Sequence, residues 1–233
     1  MACSSPPSQE SDPSSSDRFA AALRGFAPLG ILAILIILTG NLLFVPLSAV
    51  LVLVWAQLSR TPFREIGYVR LWSLLRDLAI GIVVVVAFKL LMEMIVMPLL
   101  GADPINQAYH YLAGNPAAVA GILFSVTVGA GFGEETLFRG YMFERLGKLF
   151  GLSVGAKVVI VLLTSGIFGL LHYPDKGLAG VQQATIVGLG YGTIFAVTGR
   201  LWMLMCAHAA FDLAAVAIIY WNLESMIAHL IFK

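Results

Sequence analysis

Charge is what this sequence has least of. Asp, Glu, Lys and Arg make up 12% of its 233 residues, hydrophobic residues 59%, and the mean hydropathy is +0.91. A soluble domain carries about 25% charged residues. Half that share cannot cover the surface of a 25 kDa globule, so a polytopic membrane protein is expected. Basic clusters are missing too. With a formal net charge of +1, the chain has no surface to neutralise a phosphate backbone, which excludes nucleic acid as a partner. Cys3 in a polar stretch and Cys206 in an apolar run do not build a disulfide framework. The opening MACSSPPSQESDPSSSD lacks a cationic start and an apolar core, so it does not read as a signal peptide. Its Ser, Pro and acidic residues predict a disordered tail over 1–17, and no lipidation pattern surrounds Cys3.

Long apolar runs fill the rest, and a spanning helix needs about 20 such residues. Phe26–Leu58 is too long for one span and is interrupted by Gly40-Asn41 and Pro46. Arg18 and Arg24 precede it, and Arg60, Arg64, Arg70 and Arg76 follow it. Cationic flanks at both ends predict a helical hairpin with both ends on the cytoplasmic side. Asp77–Leu100 is the next span, with Lys89 and Glu93 at i, i+4, a spacing that pairs charges along one helix face. The loop 101–116 has Asp103 and no Lys or Arg, as an outward loop should. Further spans are read at Ala117–Gly133, Lys157–His172, Gly180–Thr198 and Leu201–Tyr220. The expected fold is an all-α, polytopic transmembrane bundle of about seven to eight helices. Its parts are the tail 1–17, N-terminal transmembrane helices over 18–116, a core over 117–220, and an interfacial or partial span over 221–233. No internal repeat is evident.

Ionisable residues at membrane depth are costly and mark pairs, pathways or sites. They fall at three places. Glu134 and Glu135 are adjacent, with Arg139 four residues after Glu135. His172 closes its span, and His208 and Asp212 share a helix face at i, i+4. Glu134 and His172 both lie nineteen residues from Ser153. An antiparallel helical hairpin turning near Ser153 would therefore put them at one level, because both arms rise equally, about 1.5 Å per residue. Arg139 is read as a structural ion pair with Glu135. Two carboxylates, two histidines and an aspartate gathered in one bundle satisfy each other and make a site for proton transfer.

These residues stand in motifs. EETLFRG at Glu134–Gly140, FGLLH at Phe168–His172 and HAAFD at His208–Asp212 resemble the three motifs of the CAAX protease and bacteriocin-processing (CPBP) family, intramembrane endopeptidases that include the type II CAAX prenyl proteases. The resemblance covers about Ala117–Tyr220. It implies that Glu134 is the general base and that His172 helps hold the attacking water. It also implies that His208 and the residue one turn later bind the oxyanion. That residue is Asp212, where the prenyl proteases usually have Asn; an ionised Asp accepts hydrogen bonds but donates none. The implied substrate is a peptide or protein at the membrane, with prenylated C-terminal tails the family's best-defined class. A multi-pass protein in the cell membrane of a bacterium is expected.

The chemistry leaves two routes open. Glu134 can take a proton from water while His208 supplies an N–H donor, and no cofactor is needed. Alternatively Glu134, His172, His208 and Asp212 form a zinc set, assembled from separate helices since HExxH is absent. The metal-free route is favoured. Two rival functions use the same bundle: a catalytically silent adaptor or bacteriocin-immunity protein, and a proton or metal carrier. The carrier is disfavoured because no second acidic site and no inverted repeat is seen.

Overall fold

The protein was analysed as a computed structural model that describes residues 14–69 and 74–231. Regular structure among them is entirely helical. Helix α1 (Ser15–Arg24) starts inside the stretch read as a tail. Ser14 accepts from the Asp17 backbone, and the Asp17 side chain answers the Ser14 N–H, a reciprocal cap. Residues 1–13 of that tail, Cys3 included, lie outside the described residues, as does Arg70. Helices α2 (Pro28–Leu43) and α3 (Val45–Leu58) form the N-terminal hairpin. The break falls at extended Phe44 (φ −163°, ψ 114°) rather than at Gly40-Asn41. Pro46 explains this: it is tolerated in the first turn of α3, where its missing N–H costs nothing, so the turn must precede it. Gly40 stays helical and buried.

Helix α4 (Leu74–Leu91) continues through a π turn (Met92–Val96) to Met97–Leu99. A loop with a short 3₁₀ turn at His110–Leu112 leads to the longest helix, α5 (Pro116–Phe150). Asn115 caps it and Pro116 occupies its first position. Its winding is widened to i→i+5 over Ser125–Glu134 and again over Thr136–Tyr141. Ser153 caps α6 (Val154–Leu170), so the chain reverses at 151–153, where the equal-arm argument puts the turn. Helix α7 (Tyr173–Thr198) is interrupted at Gly177, whose φ of 58° and ψ of −156° are foreign to a helix and suit only glycine. Helix α8 (Leu201–Tyr220) and the short α9 (Glu224–Ala228) complete the chain.

Three of the described helical stretches are long and apolar enough to cross a membrane: Gly81–Leu99, Pro116–Phe150 and Leu201–Tyr220. The pair α1 and α2, bent by 56°, makes a fourth if taken as one span. The apolar α3 and α6 are shorter, at 14 and 17 residues, or about 21 and 26 Å of helix against a hydrocarbon core of about 30 Å. The protein is thus an all-helical membrane protein. Its exposed Leu, Ile and Val side chains are those expected to face lipid.

Helix α8 lies at the centre, packed on α4 and on the π-wound part of α5, while α6 and α7 pair as a hairpin. One close approach sets the α5–α8 spacing. A Cβ on Gly131 would stand 2.9 Å from the Met205 carbonyl oxygen and 3.2 Å from Ala209 Cβ, the two residues that bracket His208 by sequence. Gly131→Ala is therefore expected to cost about 1–3 kcal/mol of overpacking, read as a lower thermal-unfolding midpoint in detergent. An unchanged midpoint would contradict the close contact.

Candidate active site

The two adjacent glutamates face different neighbours. Glu135 is fully buried. One of its oxygens, Oε1, accepts from Arg139 Nη1 at 2.8 Å and from His208 Nδ1 at 2.7 Å. Arg139, 1% exposed, stands over the rings of Phe168 (4.7 Å) and Tyr191 (5.7 Å). Those rings also contact the His208 imidazole, at centroid distances of 6.1 and 5.4 Å. A buried charge needs a partner and further hydrogen bonds to be tolerated, and this aromatic box with a shared carboxylate supplies both.

The carboxylate also decides where the His208 protons sit. An ionised carboxylate only accepts, so Nδ1 carries the hydrogen and Nε2 is turned toward the cavity. There Nε2 lies 3.8 Å from Glu134 Oε2 and 3.8 Å from Asp212 Oδ2. His208 and Asp212 share a face as their spacing requires, yet at that distance they are not directly hydrogen-bonded.

His172 is fixed by the same logic. Its Nδ1 is 2.8 Å from the Phe168 carbonyl oxygen, which can only accept, so Nδ1 is the protonated nitrogen and Nε2 has a free lone pair. The ring packs edge-on against Phe168 at 4.7 Å. The short turn ending α6, where His172 N–H bonds to the Gly169 carbonyl, delivers the ring to the site.

A cavity of about 310 Å³ is bordered by Glu134, His172, His208 and Asp212. Glu134 Oε2 is buried and has no hydrogen-bond partner among the described residues. The five residues Glu134, Glu135, His172, His208 and Asp212 thus come together. Glu135 sits behind the cavity, gripping His208, while the other four border it. Among the described residues no group of three or more His, Cys, Asp or Glu is placed to hold a metal ion.

Sequence reasoning missed three features. The bond from Glu135 to His208 has no signature in spacing, since it joins residues 73 apart. Tyr191 gave no signal at all. Lys176 also borders the cavity; its sequence sign was the polar turn YPDKG directly after His172. Lys89 pairs with Glu93 as the i, i+4 spacing predicts. It also lines the cavity and lies over the Phe211 ring at 4.9 Å.

A helical membrane bundle thus encloses a cavity bordered by one unpartnered carboxylate and two oriented imidazoles, groups that can accept and donate protons. The comparison with known families narrows this. Residues 116–214 match the family described as type II CAAX prenyl endopeptidase Rce1-like, a stretch that opens with α5 and contains Glu134, Glu135, His172, His208 and Asp212. This supports the CPBP/CAAX protease family for that part of the chain and, at a coarse level, a membrane peptidase. No match was found among curated proteins or among solved structures.

Breaking the shared carboxylate has a definite expected cost. Glu135→Gln leaves Arg139 buried without its counter-ion, which typically costs about 3–5 kcal/mol. The thermal midpoint in detergent should fall clearly, and adding Arg139→Met should restore part of the loss. A Glu135→Gln protein as stable as the parent would show that the ion pair does not hold the site.

Proposed function

We propose that the protein is an intramembrane endopeptidase in which Glu134 removes the proton from an attacking water. The observation that carries this reading is the bare, buried Glu134 Oε2 facing a cavity, 3.8 Å from the one imidazole nitrogen that Glu135 leaves available. A water between Glu134 and the His172 Nε2 lone pair is held by two acceptors and so aims a lone pair at a carbonyl carbon. As the C–O bond forms, its proton passes to Glu134. When the C–N bond breaks, Glu134 returns that proton to the leaving amine.

The carbonyl oxygen gains negative charge and needs a donor. His208 donates from Nε2 only when it carries a second proton, because Nδ1–H is committed to Glu135. The Asp212 carboxylate stands 3.8 Å from that nitrogen, beyond a direct hydrogen bond but close enough to favour the cationic ring. Its charge opposes an anion, where an Asn would add a donor.

No metal takes part in this scheme. In the zinc alternative Glu134, His172, His208 and Asp212 would be ligands. The 3.8 Å separations between His208 and the two carboxylates would then have to close only to about 3.3–3.6 Å, the ligand-to-ligand spacing that bonds of about 2.0–2.2 Å set around a tetrahedral ion. The lipidated substrate class has its own support: an apolar side of the cavity formed by Phe44, Val45, Pro46, Ile122, Phe124 and Val126 suits a prenylated tail entering from the bilayer. The bundle we propose makes seven to eight crossings: the four that length and composition identify when α1 and α2 are taken as one span, then α3, α6 and α7, with the segment that holds α9 as the eighth.

Glu134→Gln is expected to fold normally yet lose at least about 100-fold in turnover, the scale of general-base loss. Activity is measured on a prenylated peptide with purified protein in proteoliposomes. Retained cleavage would refute the base assignment.

Asp212→Asn separates the two routes. Metal-free chemistry predicts preserved or higher turnover, and activity that survives exhaustive chelation. Loss under chelation that zinc alone restores, with a matching defect in Asp212→Asn, would establish a metalloprotease.

A further inference from the structure

A second chamber of about 470 Å³ adjoins the first, beneath the loop that precedes α5. The two share a border that includes Lys89, Asn106, Lys176, Gly180 and Gln183. Two cations therefore stand at the passage between them, and they differ. Lys89 is neutralised by Glu93, which also accepts from Gln183 Nε2 at 3.4 Å. Lys176 has no acidic group within ion-pair distance among the described residues; its ammonium lies 5.2 Å from the centroid of the Tyr109 ring, and Tyr109, Asp212 and Glu134 are the groups whose charge acts on it at longer range.

The placement of Lys176 is built into the backbone. Its N–H bonds to the His172 carbonyl at 3.0 Å, so the turn that presents the histidine presents the lysine. Gly177 follows with its left-handed φ and restarts α7. Gly180 clears the space for the stem: a Cβ there would fall 2.2 Å from Lys176 Cβ.

We infer that Lys176 is a specificity-determining residue that binds a carboxylate of the substrate peptide at the passage between the two chambers. This rests on the peptidase reading above. A partly buried ammonium that Asp212 and Glu134 reach only from beyond ion-pair distance can take a further anion, and a peptide offers one as a carboxylate, held by a charge-assisted hydrogen bond. The charges nearby fix the direction. Glu134 and Asp212 repel an anion at the reacting end of the cavity, so the carboxylate seats on the far side, toward the second chamber. Most of the acids bordering that chamber are already engaged. Glu93 holds Lys89, Asp103 accepts from the Ile105 N–H, and Glu224 accepts from the Asn106 N–H and faces His110 at 3.7 Å. Asp175 is exposed. The carboxylate is either the peptide's own C-terminus or an acidic side chain near the cleaved bond.

Three farnesylated fluorogenic peptides separate these sources in proteoliposomes: one with a free C-terminal carboxylate, its C-terminal carboxamide, and the carboxamide with a Glu next to the end. The parent protein is expected to cleave the free acid with about tenfold higher kcat/KM than the carboxamide, the scale of one charge-assisted hydrogen bond. Lys176→Met should erase the preference, so that acid and carboxamide are cleaved with one kcat/KM, while Lys176→Arg keeps it. Recovery of the preference by the Glu-bearing carboxamide alone, again lost in Lys176→Met, assigns the site to a side-chain carboxylate. Equal rates for all three peptides in the parent, or a Lys176→Met loss that is the same for acid and carboxamide, would overturn the proposal. If the parent cleaves none of them, the peptidase reading fails separately. The same peptides then report by fluorescence anisotropy: tighter binding of a carboxylate-bearing peptide that Lys176→Met abolishes supports the site, and equal or absent binding overturns it.

Discussion

One carboxylate oxygen organises the interior of this protein. Glu135 Oε1 receives a guanidinium N–H from Arg139 and an imidazole N–H from His208, and so joins α5 to α8 at membrane depth. Away from water, an unpaired charge there would cost several kcal/mol, which makes the three residues interdependent. Fixing the Nδ1 proton of His208 on Glu135 leaves Nε2 as the group presented to Glu134 and Asp212. The chemistry proposed for the cavity therefore depends on a bond that never touches the cavity.

The helix carrying the glutamates is suited to this division. Its wide π winding over Ser125–Glu134 and Thr136–Tyr141 belongs to a class of irregularity that recurs at functional sites. As on any helix, neighbouring residues on it point to different sides: Glu134 opens into the cavity, and Glu135 turns to Arg139 and His208. The aromatic rings of Phe168 and Tyr191 then serve twice, holding the guanidinium by its face and flanking the imidazole. Phe168 serves a third time through its carbonyl, which orients His172.

Much of this was legible in the sequence because the signals were local or periodic. Scarce charge gave the membrane class, the Glu135–Arg139 and Lys89–Glu93 pairs followed from i, i+4 spacing, and equal distances from Ser153 placed Glu134 and His172 on arms of one hairpin. What escaped was long-range or depended on winding. The π turns of α5 leave the apolar pattern unbroken, so nothing in composition reveals them. The Glu135–His208 bond exists only after α5 and α8 pack at Gly131. The number of crossings was read from runs of apolar residues, but α3 and α6 are too short, and α7 too polar and kinked, for length and composition alone to settle it. The Gly40-Asn41 break was misplaced because glycine in a membrane helix often permits close packing instead of ending the helix.

Glu135 dictates which nitrogen of His208 is protonated, and ¹⁵N NMR of histidine-labelled protein in lipid measures this directly. His208 is expected to carry a proton on Nδ1 whether neutral or cationic, with Nε2 the nitrogen that gains or loses one, and Glu135→Ala is expected to abolish this preference in any protein that remains folded. A neutral His208 with its proton on Nε2 and a bare Nδ1 would contradict it, because Glu135 would then have no hydrogen to accept and the orientation of the site would need another cause.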